Sequence, residues 1–194
     1  MPKFSEKEKK IIREQLLKEG AKLFLQYGLQ KVTIDDLVDS VKIAKASFYK
    51  FYDSKEYLYL DILQHEQKQL FERLDNVLEE NSNMPAKLRV KQVFGKMYEL
   101  MSDFPLLTKV DKNTIDIISR KVSEERLAMF SAQGFHAVDA MQKHGIVFAY
   151  DVQIVSIAFS ALYNSWVGLQ SVEPKRQKEV INIMLEGLVN QVVI

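Results

Sequence analysis

The chain has no cysteine, three histidines, four prolines and seven glycines among its 194 residues. Without cysteine there is no disulfide framework and no thiol chemistry, and a reducing compartment is permitted. His65, His136 and His144 stand 71 and 8 residues apart, which is no compact ligand spacing, so no metal or haem ligation is expected. HExxH, GxSxG and a Gly-rich phosphate loop are all missing. Paired carboxylates such as Glu79-Glu80 and Glu124-Glu125 fall on solvated faces. No catalytic residue and no cofactor is therefore assigned, and the chain does not read as an enzyme. The opening MPKFSEKEKK lacks the apolar core of a signal peptide, which makes a cytoplasmic location the expectation. Few glycines and prolines, with no long β-branched alternation, make all-α the natural class.

What is present is ordinary for a soluble domain: 47% hydrophobic and 27% charged residues, with a net charge of +1. The distribution of charge says more than the sum. Residues 1–56 hold twelve Lys or Arg against nine Asp or Glu, and the remainder fifteen against seventeen. Within the basic part, Thr33 to Lys55 reads as two short helices and the start of a third. Thr33 is an N-cap, with Asp35 and Asp36 in the first turn where carboxylates favour the helix dipole. Ile34, Leu37 and Val38 give an apolar face, and Ser40 to Ile43 leaves room only for a tight turn. A second helix over Ala44–Phe51 would then cross the first steeply, which is a helix-turn-helix. Phe48 anchors that helix and leaves Lys45, Ser47, Tyr49 and Lys50 outward, side chains suited to phosphate and base-edge contact. Lys55 follows a cap at Asp53 or Ser54, and a cation in a first turn predicts something anionic beside it.

These residues also carry a resemblance. Ala21-Lys22-Leu23-Phe24, Tyr27-Gly28-Leu29, Thr33-Ile34, Leu37-Val38, Lys45-Ala46-Ser47-Phe48-Tyr49-Lys50-Phe51-Tyr52, Ser54-Lys55-Glu56 and Leu58 resemble the DNA-binding domain of TetR-family transcriptional regulators, over roughly residues 8 to 60. The resemblance implies an all-helical homodimer whose C-terminal domain binds a small effector. It implies base and phosphate contact through Lys45, Ala46, Ser47, Tyr49 and Lys50, with Thr33, Lys42 and Lys55 holding phosphates of an operator duplex. Two positions depart from the family pattern: Lys42 stands where glycine is usual, and Ala44 where Ser or Thr caps the recognition helix. Each departure costs on the order of 1 kcal/mol. Lys42 is placed to add a phosphate contact in return.

Elsewhere Ser5 and Glu8 predict a capping box for a helix over 5–27, and Gly28 a left-handed end to it. The basic start (Lys3, Lys7, Lys9, Lys10) either reaches a phosphate or is solvated. A long helix over 54–80 connects an N-terminal domain of residues 1–53 to an effector-binding and dimerisation domain of residues 54–194. Asn81–Pro85 ends it. Helices follow over 86–104, 106–119 and 123–143, with Gly134 a weak point inside the last and Gly145 closing it. The last two, from Asp151 to Gln170 and from Pro174 onward, are apolar on more than one side. Gln153, Ser156, Ser160, Asn164 and Ser165 interrupt the first too often for a membrane span. Ser160, Asn164, Gly168 and Gly187 are small enough for close helix approach, so these two helices are expected to pair with a second copy. Phe94, Met97, Tyr98, Met101, Phe130, Phe159, Tyr163 and Trp166 are the candidate lining of an effector cavity, with Asn164 and Gln133 as further polar handles. With no lone charge among them, the expected ligand is hydrophobic or aromatic and the expected mode is repression. The competing expectation is a helical dimer whose helix-turn-helix contacts protein, in the manner of a coactivator, and binds no DNA.

Overall fold

The first helix begins where the sequence supplies its cap. In the computed structural model, which describes residues 4–132, 136–169 and 171–194, Ser5 accepts from the Glu8 amide while the Glu8 carboxylate accepts from Ser5 N at 2.7 Å. This capping box opens α1 (Glu6–Tyr27). Gly28 ends α1 at φ 80°, ψ 157°. That is not the expected left-handed helical conformation but the extended positive-φ region open essentially to glycine alone.

There follow α2 (Ile34–Val41), α3 (Lys45–Phe48), α4 (Lys55–Glu80), α5 (Ala86–Leu100), a 3₁₀ turn (Met101–Asp103), α6 (Pro105–Thr108), α7 (Lys112–Lys121), α8 (Glu124–Ala132), α9 (His136–Lys143), α10 (Val152–Gly168) and α11 (Pro174–Val192). Among the described residues there is no strand, only an isolated antiparallel bridge between Phe148 and Val193. The protein is all-α. The helix expected over 106–119 is in fact two, because Pro105 starts α6 at its first position and Asp111 caps α7 by accepting from Thr114 N at 2.7 Å. Where one helix was expected over 123–143, α8 and α9 flank residues 133–135. Gln133 and Gly134 lie outside the described residues, and so does the side chain of Phe130.

Two compact units divide the chain, residues 1–68 with 104–130, and residues 69–103 with 131–194. Helix α4 contributes to both. In the first unit Leu16 and Phe24 of α1, Leu37 and Val38 of α2, Phe48 of α3 and Leu58 and Ile62 of α4 share one core with Leu106, Ile118 and Val122. Each fully buried side chain of this size stabilises by about 1.5–3 kcal/mol. Helix α1 crosses α4 closely at Gly20, where a Cβ would stand 3.1 Å from Ile62 Cδ1 and 3.3 Å from Leu58 Cδ2.

In the second unit α5 packs on α11 and α10 on α11, with Val90, Val93, Phe94, Val155, Phe159, Ile181, Leu185 and Val189 buried. Arg89 is also buried there, and donates to Leu78 O at 3.0 Å and to His144 O at 2.8 Å, so its cation meets carbonyls at the ends of α4 and α9. The end of the chain is tied back by Ile194 N to Val147 O at 3.0 Å and Ala149 N to Val192 O at 2.9 Å. No helix among the described residues is long and apolar enough to cross a membrane.

Candidate nucleic-acid interface and effector cluster

Thr33 caps α2 and shares a capping box with Asp36. Its Oγ1 accepts from Asp36 N at 3.2 Å and donates to Oδ2 at 2.7 Å, and its amide donates to the same oxygen at 2.8 Å. The bonds from the Thr33 hydroxyl and amide hold the Asp36 carboxyl below its ordinary range. The Thr33 side chain is thus engaged in the cap rather than left open for a phosphate.

The turn closes as a Schellman motif. Ile43 N donates to Val38 O at 3.1 Å and Lys42 N to Asp39 O at 3.3 Å, which puts Lys42 at φ 57°, ψ 47°. Lys42 is the one non-glycine residue at positive φ among those described. The strain anticipated at this position is present, and the Lys42 side chain stands in solvent.

Ala44 supplies no side-chain cap, and α3 is a single turn. The helix expected to reach Phe51 instead continues as i→i+3 turns: Lys50 N to Ser47 O at 3.1 Å and Phe51 N to Phe48 O at 2.8 Å. Phe48 is fully buried, as its apolar position predicted. Lys45, Ala46, Tyr49 and Lys50 are exposed together with Lys42, while Ser47 is half-buried. Lys45 holds Asp35 Oδ2 at 2.8 Å in an exposed ion pair, which contributes little and can be exchanged for a phosphate. Lys50 lies over the Phe4 ring, 5.4 Å from its centroid, and Phe4 stands 6.2 Å from the Phe51 ring. Nothing in the spacing signals that Phe4 belongs here. At the start of α1, Lys9 is paired with Glu6 at 2.6 Å.

Lys55 departs most from expectation. Its ammonium donates to Leu29 O at 2.8 Å, Gln30 O at 3.2 Å and Val32 O at 2.6 Å. In place of the anion inferred from a cation at a helix start, the structure sets a cluster of neutral backbone carbonyls in the α1–α2 turn. An ammonium has three protons to donate, and all three are used.

In the second unit the proposed effector residues fall into two groups. Phe94 stacks on Phe159 at 4.5 Å, and both are buried, as is Met101. Tyr98 and Tyr163 both contact Trp166, at 5.3 and 6.0 Å between centroids, and Met97 is half-buried nearby in sequence. The Tyr98 hydroxyl is buried without a hydrogen-bond partner, and desolvation raises the pKa of both Tyr98 and Tyr163 above the ordinary phenol value. Ser156 Oγ on α10 is likewise buried and unpartnered.

One titratable group escaped the sequence reading. Glu66 sits in the polar run 64–69 of α4, yet desolvation pushes its carboxyl up to about 7 from 4.5, against a bond from the Leu107 amide, and its Oε2 has no partner. A carboxyl whose folded pKa is raised binds its proton more tightly folded than unfolded. Its contribution is therefore favourable at low pH and is lost as pH rises from about 4.5 to about 7. Glu66→Gln keeps an acceptor for the Leu107 amide and removes the charge. After allowance for partial exposure, it should stabilise by about 1 kcal/mol near pH 8 and by nothing near pH 4.5. Denaturant unfolding of both proteins at the two pH values measures the difference.

A capped helix, a three-residue turn and an exposed basic and aromatic face over a buried phenylalanine define a helix-turn-helix head of the type that reads nucleic acid. Residues 16–62 match the sequence model of the bacterial regulatory proteins of the tetR family. The transcriptional repressor DhaR of Mycobacterium sp. (strain GP1) is 27% identical over 90 residues, 46% of this chain and 45% of that protein. The IcaR negative regulator of the icaADBC biofilm operon in Staphylococcus aureus is 27% identical over 92 residues, 47% of each. The chain thus aligns with about half the length of these relatives or less. Over nearly the whole chain the fold is shared with the fatty acid degradation regulator FadR of Bacillus halodurans (TM-score 0.65, 12% identity, 97% of each chain). It is shared too with reduced NemR of E. coli (TM-score 0.60, 18% identity, 94% of this chain and 98% of that one).

Proposed function

We propose that the protein is a ligand-responsive repressor, a homodimer that binds a palindromic operator through Lys42, Lys45, Ser47, Tyr49 and Lys50. Residues 1–53 are its DNA-binding part and 54–194 its effector-binding and dimerisation part, with α4 connecting them. The observation that carries the reading is the exposed Lys42–Lys50 face on a tetR-family head. One such segment reads too few base pairs to select a site, so two must act, spaced by about one DNA turn of roughly 34 Å.

The second copy is supplied by the apolar faces of α10 and α11. Ile154, Ile157, Val180, Ile183 and Met184 are exposed in the single chain, and Gly168 and Gly187 have open space where a side chain would be. An effector held among Tyr98, Tyr163 and Trp166, hydrophobic or aromatic in character, favours a dimer whose recognition segments are displaced. It can do so only through unequal affinity for the two arrangements. The reading is of a regulator acting where DNA is, in the cytoplasm, and not of an enzyme.

The test is binding to the protein's own upstream intergenic DNA and to scrambled DNA across a salt series. Selective binding is expected, with log affinity falling linearly in log salt by about 0.9 per phosphate neutralised. Lys50→Ala should reduce that slope by about one phosphate, and Lys45→Ala should also change preference among sequences. Equal binding to both DNAs would leave only a basic patch. No binding at low salt would favour a protein partner for the head.

A further inference from the structure

We infer that Phe4 is a positioning residue for DNA binding, which holds the Lys50 ammonium over its ring and so presents an ordered cation on the recognition segment. The inference rests on the DNA-binding reading above and concerns how one of its contacts is prepared. Phe4 directly precedes Ser5, the N-cap of α1, whose amide and hydroxyl both donate to Glu8 Oε2, at 2.7 and 2.8 Å. That capping box fixes the backbone from which the Phe4 side chain departs. An apolar residue just before an N-cap ordinarily packs on the fourth residue of its own helix. Here that residue is Lys9, whose ammonium is paired with Glu6 at 2.6 Å. Phe4 turns instead to the recognition segment. Its ring stands 6.2 Å from that of Phe51, and it packs on the core that holds Phe48 and Tyr52. Over the same ring lies Lys50 Nζ, 5.4 Å from the centroid, within the reach of a cation–π contact.

Lys50 is thus held differently from Lys45 on the same face. Lys45 donates to Asp35 Oδ2 at 2.8 Å, so a phosphate must displace a carboxylate to take its ammonium. An aromatic ring attracts an ammonium through its quadrupole and brings no net negative charge toward an approaching phosphate. The N–H donors turned away from the ring stay available to an acceptor, so Lys50 keeps its place while it binds. A free lysine would have to order its flexible four-carbon stem at that moment, and the ring lowers that cost beforehand.

The experiment is a salt series on upstream and scrambled DNA with full-length wild type, Phe4→Leu, Phe4→Tyr, Lys50→Ala and the Phe4→Leu with Lys50→Ala double variant. Leucine keeps the apolar contact with Phe51 and the core but has no π face. Phe4→Leu should lower affinity for upstream DNA about two- to fivefold, the worth of an exposed cation–π contact. Its slope against log salt should match wild type, because Lys50 still neutralises its phosphate, whereas Lys50→Ala flattens the slope. Phe4→Tyr, which keeps the ring, should restore wild-type affinity. In the Lys50→Ala background Phe4→Leu should cost nothing further. An equal loss in both backgrounds would mark Phe4 as merely structural and overturn the inference. So would a Phe4→Leu variant of unchanged or higher affinity, since Lys50 would then gain nothing from the ring. Wild-type protein that binds no DNA would instead remove the functional reading, and the inference with it.

Discussion

Lys55→Met is expected to destabilise the protein by about 3 kcal/mol while leaving the salt dependence of DNA binding by the folded protein unchanged. The ammonium holds the carbonyls of Leu29, Gln30 and Val32 at 2.6–3.2 Å, and Met reproduces the length of the stem without any donor. Hydrogen bonds to a charged group contribute about 1.5–3 kcal/mol each where they are sheltered. Not all three count fully, since the bond to Gln30 is exposed and water can replace part of it. One gain offsets the loss, because a cation in the first turn of α4 opposes the helix dipole by about 0.3–1 kcal/mol. Denaturant unfolding followed by far-UV circular dichroism measures the stability. A salt series on upstream DNA, kept in conditions where the variant is folded, measures the slope. A lysine that instead held a phosphate would give the reverse: stability close to wild type and a slope smaller by about 0.9. That pattern would return Lys55 to the DNA contacts.

The contrast at Lys55 shows what kind of information a sequence holds. Electrostatics at a helix start predicted an anion beside Lys55, and neutral backbone carbonyls stand there instead. That carbonyls 23 to 26 residues earlier would take the ammonium was not legible, because it depends on how the α1–α2 turn folds back. Features decided within a turn or two were legible: the Ser5–Glu8 box, the Thr33 cap, Lys42 at positive φ, Pro174 at a helix start, and Phe48 as anchor. The split into α6 and α7 was missed although Asp111 is an ordinary cap. Long-range polar contacts left no trace. Arg13 and Arg126 both donate to Asp61 from 48 and 65 residues away, and each of the three is by itself an ordinary surface charge. Glu66 was hidden the same way, inside a run whose polarity suggested solvent. The apolar excess of α10 and α11 predicted burial on more than one side, whereas the single chain leaves Ile154, Ile157, Val180, Ile183 and Met184 exposed, the face proposed above for a second copy.

That face gives the second large effect. The double substitution Ile157→Glu with Ile183→Glu should convert the protein to a monomer at micromolar concentration and abolish selective operator binding. The two isoleucines are 64% and 73% exposed in the chain alone, so the monomer loses no packing and its unfolding midpoint should hold or rise. In a twofold dimer every substitution is met twice, once from each subunit. A carboxylate forced into an apolar contact costs about 2 kcal/mol or more where the contact is central. Two positions, each counted twice, amount to at least about 8 kcal/mol, and half of that already weakens association roughly a thousandfold. Light scattering after size-exclusion chromatography reads the mass directly. The DNA experiment then separates assembly from recognition, because a monomer keeps the Lys42–Lys50 face and its non-specific, salt-sensitive affinity while losing the second half-site. Selective binding by the monomer would mean that one head suffices. A double variant that stays dimeric would place the subunit contact elsewhere on the chain.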